Sequence, residues 1–364
     1  MTFYCDKCNK YWSHEVQNCI FCGAETRKID ESEYTVLSHT KVHVPSKGNE
    51  NVPYFVYLLE DKNGQKIIRK SDNQYQIGDQ INFNQTAPQK YSVGVVGSGL
   101  MGAQIAEFLI QADYPVVLKT RSEESISKVT AKIQKKLSKK LQEQEVEKCL
   151  KNLTITTDYS DFDGIDLIIE AAKEDLEIKK EVFLALSTVC KPNTIFATNS
   201  SSLSIDALAE VTDRPSQFIG LHFFNPVHRM GLVEVVIGAK TSDATKEFAV
   251  DFAQDLKKQP IIVQNSPGFI VNRMLLPQIN EAIRLLGDGI ATKEDIDSAV
   301  KLGLNHPMGP FELADFIGLD TCLSILEVLQ TNLGNDHYKP APLLQEMVDQ
   351  GKLGFKSCEG FYRY

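Results

Sequence analysis

Tyr91-Ser-Val-Gly-Val-Val-Gly97-Ser98-Gly99-Leu100-Met101-Gly102 is the stretch on which the reading of this chain turns. It opens with a short apolar run, the pattern of a buried strand. Gly97, Ser98, Gly99, Leu100, Met101 and Gly102 follow at once as Gly-x-Gly-x-x-Gly, and Ala103 to Gln111 reads as an amphipathic helix. The three glycines have separate tasks: a tight turn, close approach of backbone to a pyrophosphate, and close packing of helix on strand. The phosphates would meet the helix N-terminus. Alone, the glycine pattern is weak; its place between a strand and a helix makes it a dinucleotide-binding turn.

Working outward, the second strand, Pro115 to Lys119, is expected to end in an acidic residue if a carboxylate is to hold the ribose 2′-hydroxyl. It ends instead in Lys119-Thr120-Arg121-Ser122. That removes the repulsion a carboxylate would exert on a 2′-phosphate and supplies hydroxyls and a guanidinium. NADP(H) is therefore favoured over NAD(H); the other reading has Lys119 and Arg121 facing solvent in an enzyme that uses NAD(H). Leu167 to Ala172, Glu177 to Val189 and Thr194 to Thr198 continue the alternation of strand and helix, which predicts a doubly wound parallel sheet. The lysine-rich segment Lys128 to Lys148 reads as one helix, either a solvated face or a contact for an anionic substrate.

A chain of 364 residues is long enough for two or three domains. Its formal charge of -9 argues against a protein that binds nucleic acid through a broad basic surface. There is no apolar run long enough to span a bilayer, and MTFYCDKCNKYW has neither a signal core nor a transit pattern, so a soluble cytoplasmic protein is expected. Cys149, Cys190, Cys322 and Cys358 are scattered and read as small buried hydrophobes.

Cys5-x2-Cys8 and Cys19-x2-Cys22 are different: two short turns could present four thiolates to one Zn²⁺. Four sulfur ligands leave no open position, so the metal would be structural and not catalytic. Tyr34 to Val44, Val52 to Glu60, Gln65 to Lys70 and Asp79 to Asn84 then read as short strands, with a hairpin turn at Lys62-Asn63-Gly64, and predict an OB-like β-barrel. The succession resembles the zinc-ribbon/OB-fold proteins that accompany acyl-CoA condensing enzymes, over about the first 85 residues. Such a module could dock a condensing enzyme, handle acyl-CoA or bind single-stranded nucleic acid. Equal numbers of basic and acidic residues, eight of each between Lys28 and Lys90, make the last reading unlike a basic groove.

Phe218 to Phe224 delivers His222 at a strand end, Asn225-Pro226 turns the chain, and the next strand, Leu232 to Ile237, carries Glu234. A carboxylate on a neighbouring strand can hold one imidazole nitrogen and leave the other to exchange a proton. A core histidine and an unrelated surface carboxylate would show the same spacing. The motifs taken together decide. Gly-Ser-Gly-Leu-Met-Gly, Thr198-Asn-Ser-Ser-Ser-Leu-Ser-Ile, Gly220-Leu-His-Phe-Phe-Asn-Pro-Val, Leu232-Val-Glu-Val-Val, Pro267-Gly-Phe-Ile-Val-Asn-Arg, His306-Pro-Met-Gly-Pro-Phe-Glu-Leu and Gly360-Phe-Tyr occur in order. From about Lys90 to Tyr364 the chain resembles the 3-hydroxyacyl-CoA dehydrogenase family.

The resemblance implies His222 as general acid/base oriented by Glu234, with Ser201 and Asn272 bonding the substrate's C3 oxygen and thioester. It implies Glu174, Lys179, Asn199 and Lys356 on the nicotinamide and ribose side, and an acyl-CoA substrate whose 3′-phosphate meets the lysine-rich segment. Thr120-Arg121 departs from the aspartate of the family's NAD-using members. From Val271 onward, Met274 to Leu286, Lys293 to Leu302, Phe311 to Gln330 with Gly318 interrupting, and Leu343 to Gln350 read as helices. In the resembling family this bundle forms the homodimer. His306 sits in a capping loop and reads as structural. The expected organisation is a zinc ribbon over 1–28, an OB-like domain over 29–86, a Rossmann-like domain over 90–270 and a helical substrate and dimerisation domain over 271–364.

Overall fold

The structure is a computed structural model that describes residues 90–364 throughout and, ahead of them, 2–5, 7, 10–12, 22, 24–25, 27–29, 34–42, 54–61, 66–71 and 74–81. The chain divides into two compact units, Met1–Gln89 and Lys90–Tyr364. In the first, β1 (Thr2–Cys5) pairs antiparallel with β2 (Lys10–Trp12) and β3 (Arg27–Ile29). A second antiparallel sheet, in the order β6-β5-β4-β7, comprises β4 (Tyr34–Val42), β5 (Tyr54–Asp61), β6 (Lys66–Ser71) and β7 (Gln80–Ile81). Phe55, Tyr57 and Leu59 alternate into its small core with Tyr34 and Val36, the period of two that a half-buried strand requires.

The expected barrel is thus seen, among the described residues, as a four-stranded sheet. Cys8, Cys19, the Lys62-Asn63-Gly64 turn and residues 85–89 of the linker lie outside the described residues. Among those described, no group of three or more His, Cys, Asp or Glu could hold a metal ion, and no helix is long and apolar enough to cross a membrane.

The larger unit is built on an eight-stranded sheet, ordered β10-β9-β8-β11-β12-β13-β14-β15. β8 (Val93–Val96) is buried at every residue and leads into α1 (Leu100–Gln111), followed by β9 (Val116–Lys119), α2 (Glu123–Leu137), α3 (Glu143–Lys151) and β10 (Leu153–Thr156). The other half of the sheet opens with β11 (Leu167–Glu170), α4 (Leu176–Val189), β12 (Ile195–Thr198), α5 (Ile205–Ala209) and β13 (Phe218–Phe223). It closes with β14 (Leu232–Ile237), α6 (Asp243–Asp255) and β15 (Gln259–Gln264). Ile105, Leu109, Ile133 and Phe252 cover one face, and Phe162, Phe183, Leu186 and Leu208 the other. Coverage of both faces explains why the central strands read as continuous apolar runs.

Three expectations need correction. Cys149, Cys190 and Cys322 are buried as expected, but Cys358 is exposed. The sheet is not parallel throughout: β13 and β14 pair antiparallel, while β14 and β15 run parallel to each other. A parallel return needs a crossover of about a dozen residues or more, and the loop 224–231 is too short for one. The lysine-rich segment is two helices, α2 and α3, broken at 138–142. Gln142 starts the second, its N–H donating to the Glu145 carboxylate at 3.0 Å in a capping box.

Beyond the sheet, α7 (Val271–Gly287), α8 (Lys293–Leu304), α9 (Pro310–Ile317), α10 (Leu319–Leu333) and α11 (Pro342–Asp349) share a separate core around Leu276, Phe311, Leu326 and Leu344. Gly318, at φ +103°, divides α9 from α10 where a single interrupted helix is predicted. His306 lies exposed in the loop between α8 and α9. The start of α9 is capped instead by buried Asp297, which accepts from the N–H groups of Phe311 and Glu312 at 2.8 and 3.2 Å.

A Cβ added at Gly102 would overlap the carbonyl oxygen of Gly97. In an ordinary helix interior Gly→Ala stabilises by about 1 kcal/mol. Here Gly102→Ala should instead lower stability, by about 1–3 kcal/mol, read as a lower urea midpoint at unchanged slope. A raised midpoint would mean that the helix does not press on the glycine turn.

Candidate active site

His222 and Glu234 are directly opposite each other in the antiparallel register of β13 and β14, so their side chains share a face. The imidazole Nδ1 lies 2.7 Å from Glu234 Oε2, and both residues are buried. The second carboxylate oxygen, Oε1, accepts the N–H groups of Ile270 and Val271 at 3.1 and 3.0 Å, at the start of α7. Burial pushes the Glu234 carboxyl up. The hydrogen bond from His222 and those from Val271 and Ile270 outweigh it and hold the group below the ordinary carboxylate range. Phe224 and Phe269 stand against the imidazole, with ring centroids 4.5 and 5.7 Å away. A ring held in this way through Nδ1 has Nε2 to exchange a proton with a bound oxygen.

The loop after β12 packs beside this pair. Asn272, one residue into α7, donates through Nδ2 to the carbonyl oxygen of Ser201 at 3.1 Å. Asn199 accepts through Oδ1 from the N–H of Phe223, next to His222, at 2.9 Å. Glu174 gathers the serines: its Oε1 accepts from Ser200 Oγ at 2.6 Å and from the N–H groups of Ser201 and Ser202 at 2.9 and 3.1 Å. Its other oxygen is 3.3 Å from Lys179 Nζ. Burial would raise the Glu174 carboxyl, but the Lys179 charge and the serine hydrogen bonds outweigh it and hold it low. Lys179 itself is 1 % exposed and donates to both oxygens of Glu170, at 2.7 and 2.9 Å.

A dinucleotide fits the glycine turn. Gly97 has φ +108°, and a Cβ there would stand 2.6 Å from the carbonyl oxygen of Ala171; a Cβ at Gly99 would meet nothing within 4 Å. One glycine is thus required by the fold and another borders open space. No side chain caps α1, and its first turn holds no acidic residue, so its N-terminal N–H groups are available to an anion. The turn lies between the carboxyl ends of β8 and β11, where the strand order reverses, the usual crevice for such a ligand.

His222, Glu234, Ser201, Asn272, Asn199, Glu174 and Lys179 are thereby joined through hydrogen bonds and neighbouring residues. Gly97, Ser98, Gly99, Leu100, Met101 and Gly102 form the turn at α1. Thr120 does not present its hydroxyl as the sequence suggests: it is buried, and accepts from Ser98 Oγ at 2.9 Å. Lys119 is bound to the carbonyl oxygen of Thr157 at 3.0 Å and lies over the Tyr159 ring, leaving exposed Arg121 as the cation at this strand end. Lys356 belongs to another constellation, donating to Asp320 and Thr321 at 2.7 and 2.8 Å. Sequence reasoning missed Glu170. The one signal for it was a charged residue closing an otherwise apolar strand.

Comparison with known proteins agrees with this geometry. Residues 92–266 match the family described as 3-hydroxyacyl-CoA dehydrogenase, NAD binding domain, and residues 268–364 match its C-terminal domain. A probable 3-hydroxybutyryl-CoA dehydrogenase of Deinococcus radiodurans is 46% identical over 275 residues, covering 74% of this chain and 99% of its own. The mitochondrial hydroxyacyl-coenzyme A dehydrogenase of Homo sapiens is 43% identical over 284 residues, covering 75% of this chain and 90% of its own. The crystal structure of (S)-3-hydroxybutyryl-CoA dehydrogenase from Ralstonia eutropha superposes with a TM-score of 0.72 at 43% identity, over 75% of this chain and 99% of that one. Through residues 92–364 the chain belongs to the 3-hydroxyacyl-CoA dehydrogenase family.

Proposed function

We propose that the chain interconverts short 3-oxoacyl-CoA, such as acetoacetyl-CoA, and (3S)-3-hydroxyacyl-CoA by hydride transfer with NADP(H) in preference to NAD(H). The buried His222–Glu234 pair carries the reading, since it supplies a proton donor at the end of a strand beside a dinucleotide crevice. Relatives named 3-hydroxybutyryl-CoA dehydrogenase give the substrate class.

The nicotinamide, when bound, supplies or accepts the hydride at C3. In reduction, protonated His222 gives its Nε2 proton to the C3 oxygen as that oxygen gains charge, and Glu234 stabilises the imidazolium beforehand. Ser201 and Asn272 hold the C3 oxygen and the thioester with fixed donors. In oxidation neutral His222 removes the hydroxyl proton. Glu174, Lys179 and Asn199 are assigned to the nicotinamide and ribose side; Lys356, held by Asp320 and Thr321 in the helical region, is not carried forward with them. The preference for NADP(H) rests on Arg121 and on the missing carboxylate at the end of β9.

The N-terminal unit precedes both family matches, the first of which begins at residue 92. Its assigned role is docking to an acyl-CoA condensing enzyme, with one structural Zn²⁺ held by Cys5, Cys8, Cys19 and Cys22. The exposed Ile290, Leu302 and Leu304 support homodimerisation through the helices. Removing residues 1–85 should leave acetoacetyl-CoA kinetics unchanged and abolish retention of a condensing enzyme. A raised KM would instead mean that the unit binds CoA itself.

With acetoacetyl-CoA, NADPH should be oxidised faster than NADH, and His222→Gln should lose about 10²- to 10⁴-fold in kcat. Faster use of NADH would overturn the cofactor preference alone. No turnover with either cofactor would refute the substrate reading.

Glu234 also gives stability a pH dependence. Because its folded-state pKa is lowered, its contribution is present above the range of a free carboxyl, about 4.3, and is lost as pH falls through the folded value. Glu234→Gln should therefore cost about 2 kcal/mol at pH 7 and progressively less below pH 4. Urea denaturation at both pH values would show whether the gap closes.

A further inference from the structure

We infer that Glu170, which lies outside the catalytic pair, is a positioning residue for the reaction, setting the 198–202 loop that carries Ser201. The inference rests on the dehydrogenase reading of the site, and three separate connections from Glu170 support it.

Glu170 closes β11 and is 0 % exposed. Its Oε1 accepts from Ala172 N–H at 2.6 Å and from Lys179 Nζ at 2.7 Å, and its Oε2 accepts from Lys179 Nζ at 2.9 Å and from Thr198 Oγ1 at 2.7 Å. The first connection runs through Lys179. Its ammonium is shared unequally, with two short bonds to Glu170 and one longer approach, 3.3 Å, to Glu174. Glu174 thus keeps a charge that Lys179 only partly neutralises, and its Oε1 spends that charge on the serine N–H and hydroxyl groups.

The second connection runs through Thr198. A buried carboxylate only accepts, so the Thr198 hydroxyl must give Glu170 its single proton. Its lone pairs then face the N–H of Ser200, which donates to Thr198 Oγ1 at 3.1 Å. The third is main chain: the carbonyl oxygen of Glu170 accepts from Asn199 N–H at 2.7 Å. The side chain therefore fixes the loop through its charge and its acceptor geometry, and only the third connection would survive its replacement.

Glu170→Gln has nearly the same size and removes the charge. Lys179 should then turn wholly to Glu174 and draw its carboxylate from the serines. In hydrogen exchange on the full chain, the amides of Ser200–Ser202 should exchange about tenfold faster, with α7 and α10 unchanged. With acetoacetyl-CoA, kcat should fall about tenfold or more.

Unchanged exchange at 200–202, or faster exchange everywhere, would show that Glu170 only supports the fold and would overturn the inference. A rise in cofactor KM with kcat unchanged would overturn it too. If the wild-type chain reduced no 3-oxoacyl-CoA, the functional reading would fail, and the exchange result would still decide what Glu170 holds. Should the Gln variant not fold, Thr198→Val cuts the second connection alone. Faster exchange at Ser200 is then expected, and unchanged exchange there would count against the proposal.

Discussion

The Glu234 carboxylate uses its two oxygens on two parts of the molecule, and the arrangement of the site depends on that division. One oxygen meets His222 on the sheet; the other receives the first N–H groups of α7. Ile270 stands at the N-cap of α7 and makes no side-chain capping bond. The helix start is therefore satisfied from a distant strand, by a full negative charge at the positive end of the helix. Asn272 follows one residue later and reaches Ser201. The group that orients the imidazole also places the helix that carries the next polar side chain.

Capping elsewhere in the unit follows a complementary logic. Asp175, Ser204 and Ser242 cap α4, α5 and α6 with their own side chains, whereas α1 begins at Gly99 with none. Unpaired N–H groups at a helix start need a partner. Behind a glycine turn that borders open space, a phosphate is the partner that fits. The carboxyl ends of β11 and β12 bear the buried Glu170 and Thr198, α4 brings the buried Lys179 against them, and their polar atoms satisfy one another. A polar group buried there without such closure would cost several kcal/mol, roughly 3–5 for a broken ion pair, which accounts for the density of hydrogen bonds under the 198–202 loop.

Much of this was legible in the chain. Strands β8, β11 and β13 stand out because burial on two faces makes them apolar but for Glu170 and His222 near their ends, and the glycine turn because only glycine fits where Cβ meets Ala171. His222 was legible as a residue at a strand end and Glu234 as one inside the next strand, and the family resemblance implied their pairing; spacing and composition alone left it open, because pairing direction is set by the loop and not by strand composition. Helical periodicity ran on through 128–148, where the break is made by a capping bond between Gln142 and Glu145. Thr120 reads as an available hydroxyl, yet Ser98 from another loop takes it. Each miss involves a partner distant in sequence or a local bond that periodicity does not weigh.

The reversal at β13 and β14 explains why a spacing of twelve residues can unite an imidazole and a carboxylate. Opposed residues of an antiparallel pair lie about 4.5–5.5 Å apart at Cβ and on one face, so register alone brings the two side chains within reach. The period of two then sends their neighbours Leu221 and Val235 to the opposite face, where both are fully buried. Slipping the register by one residue would expose this apolar pair to the site and drive His222 and Glu234 into the core, so the packing that fixes the register also protects the chemistry. Phe224 and Phe269 close the remaining side of the imidazole. In that enclosure the carboxylate acts through a lower effective dielectric than water provides, and its hold on the imidazolium is correspondingly stronger.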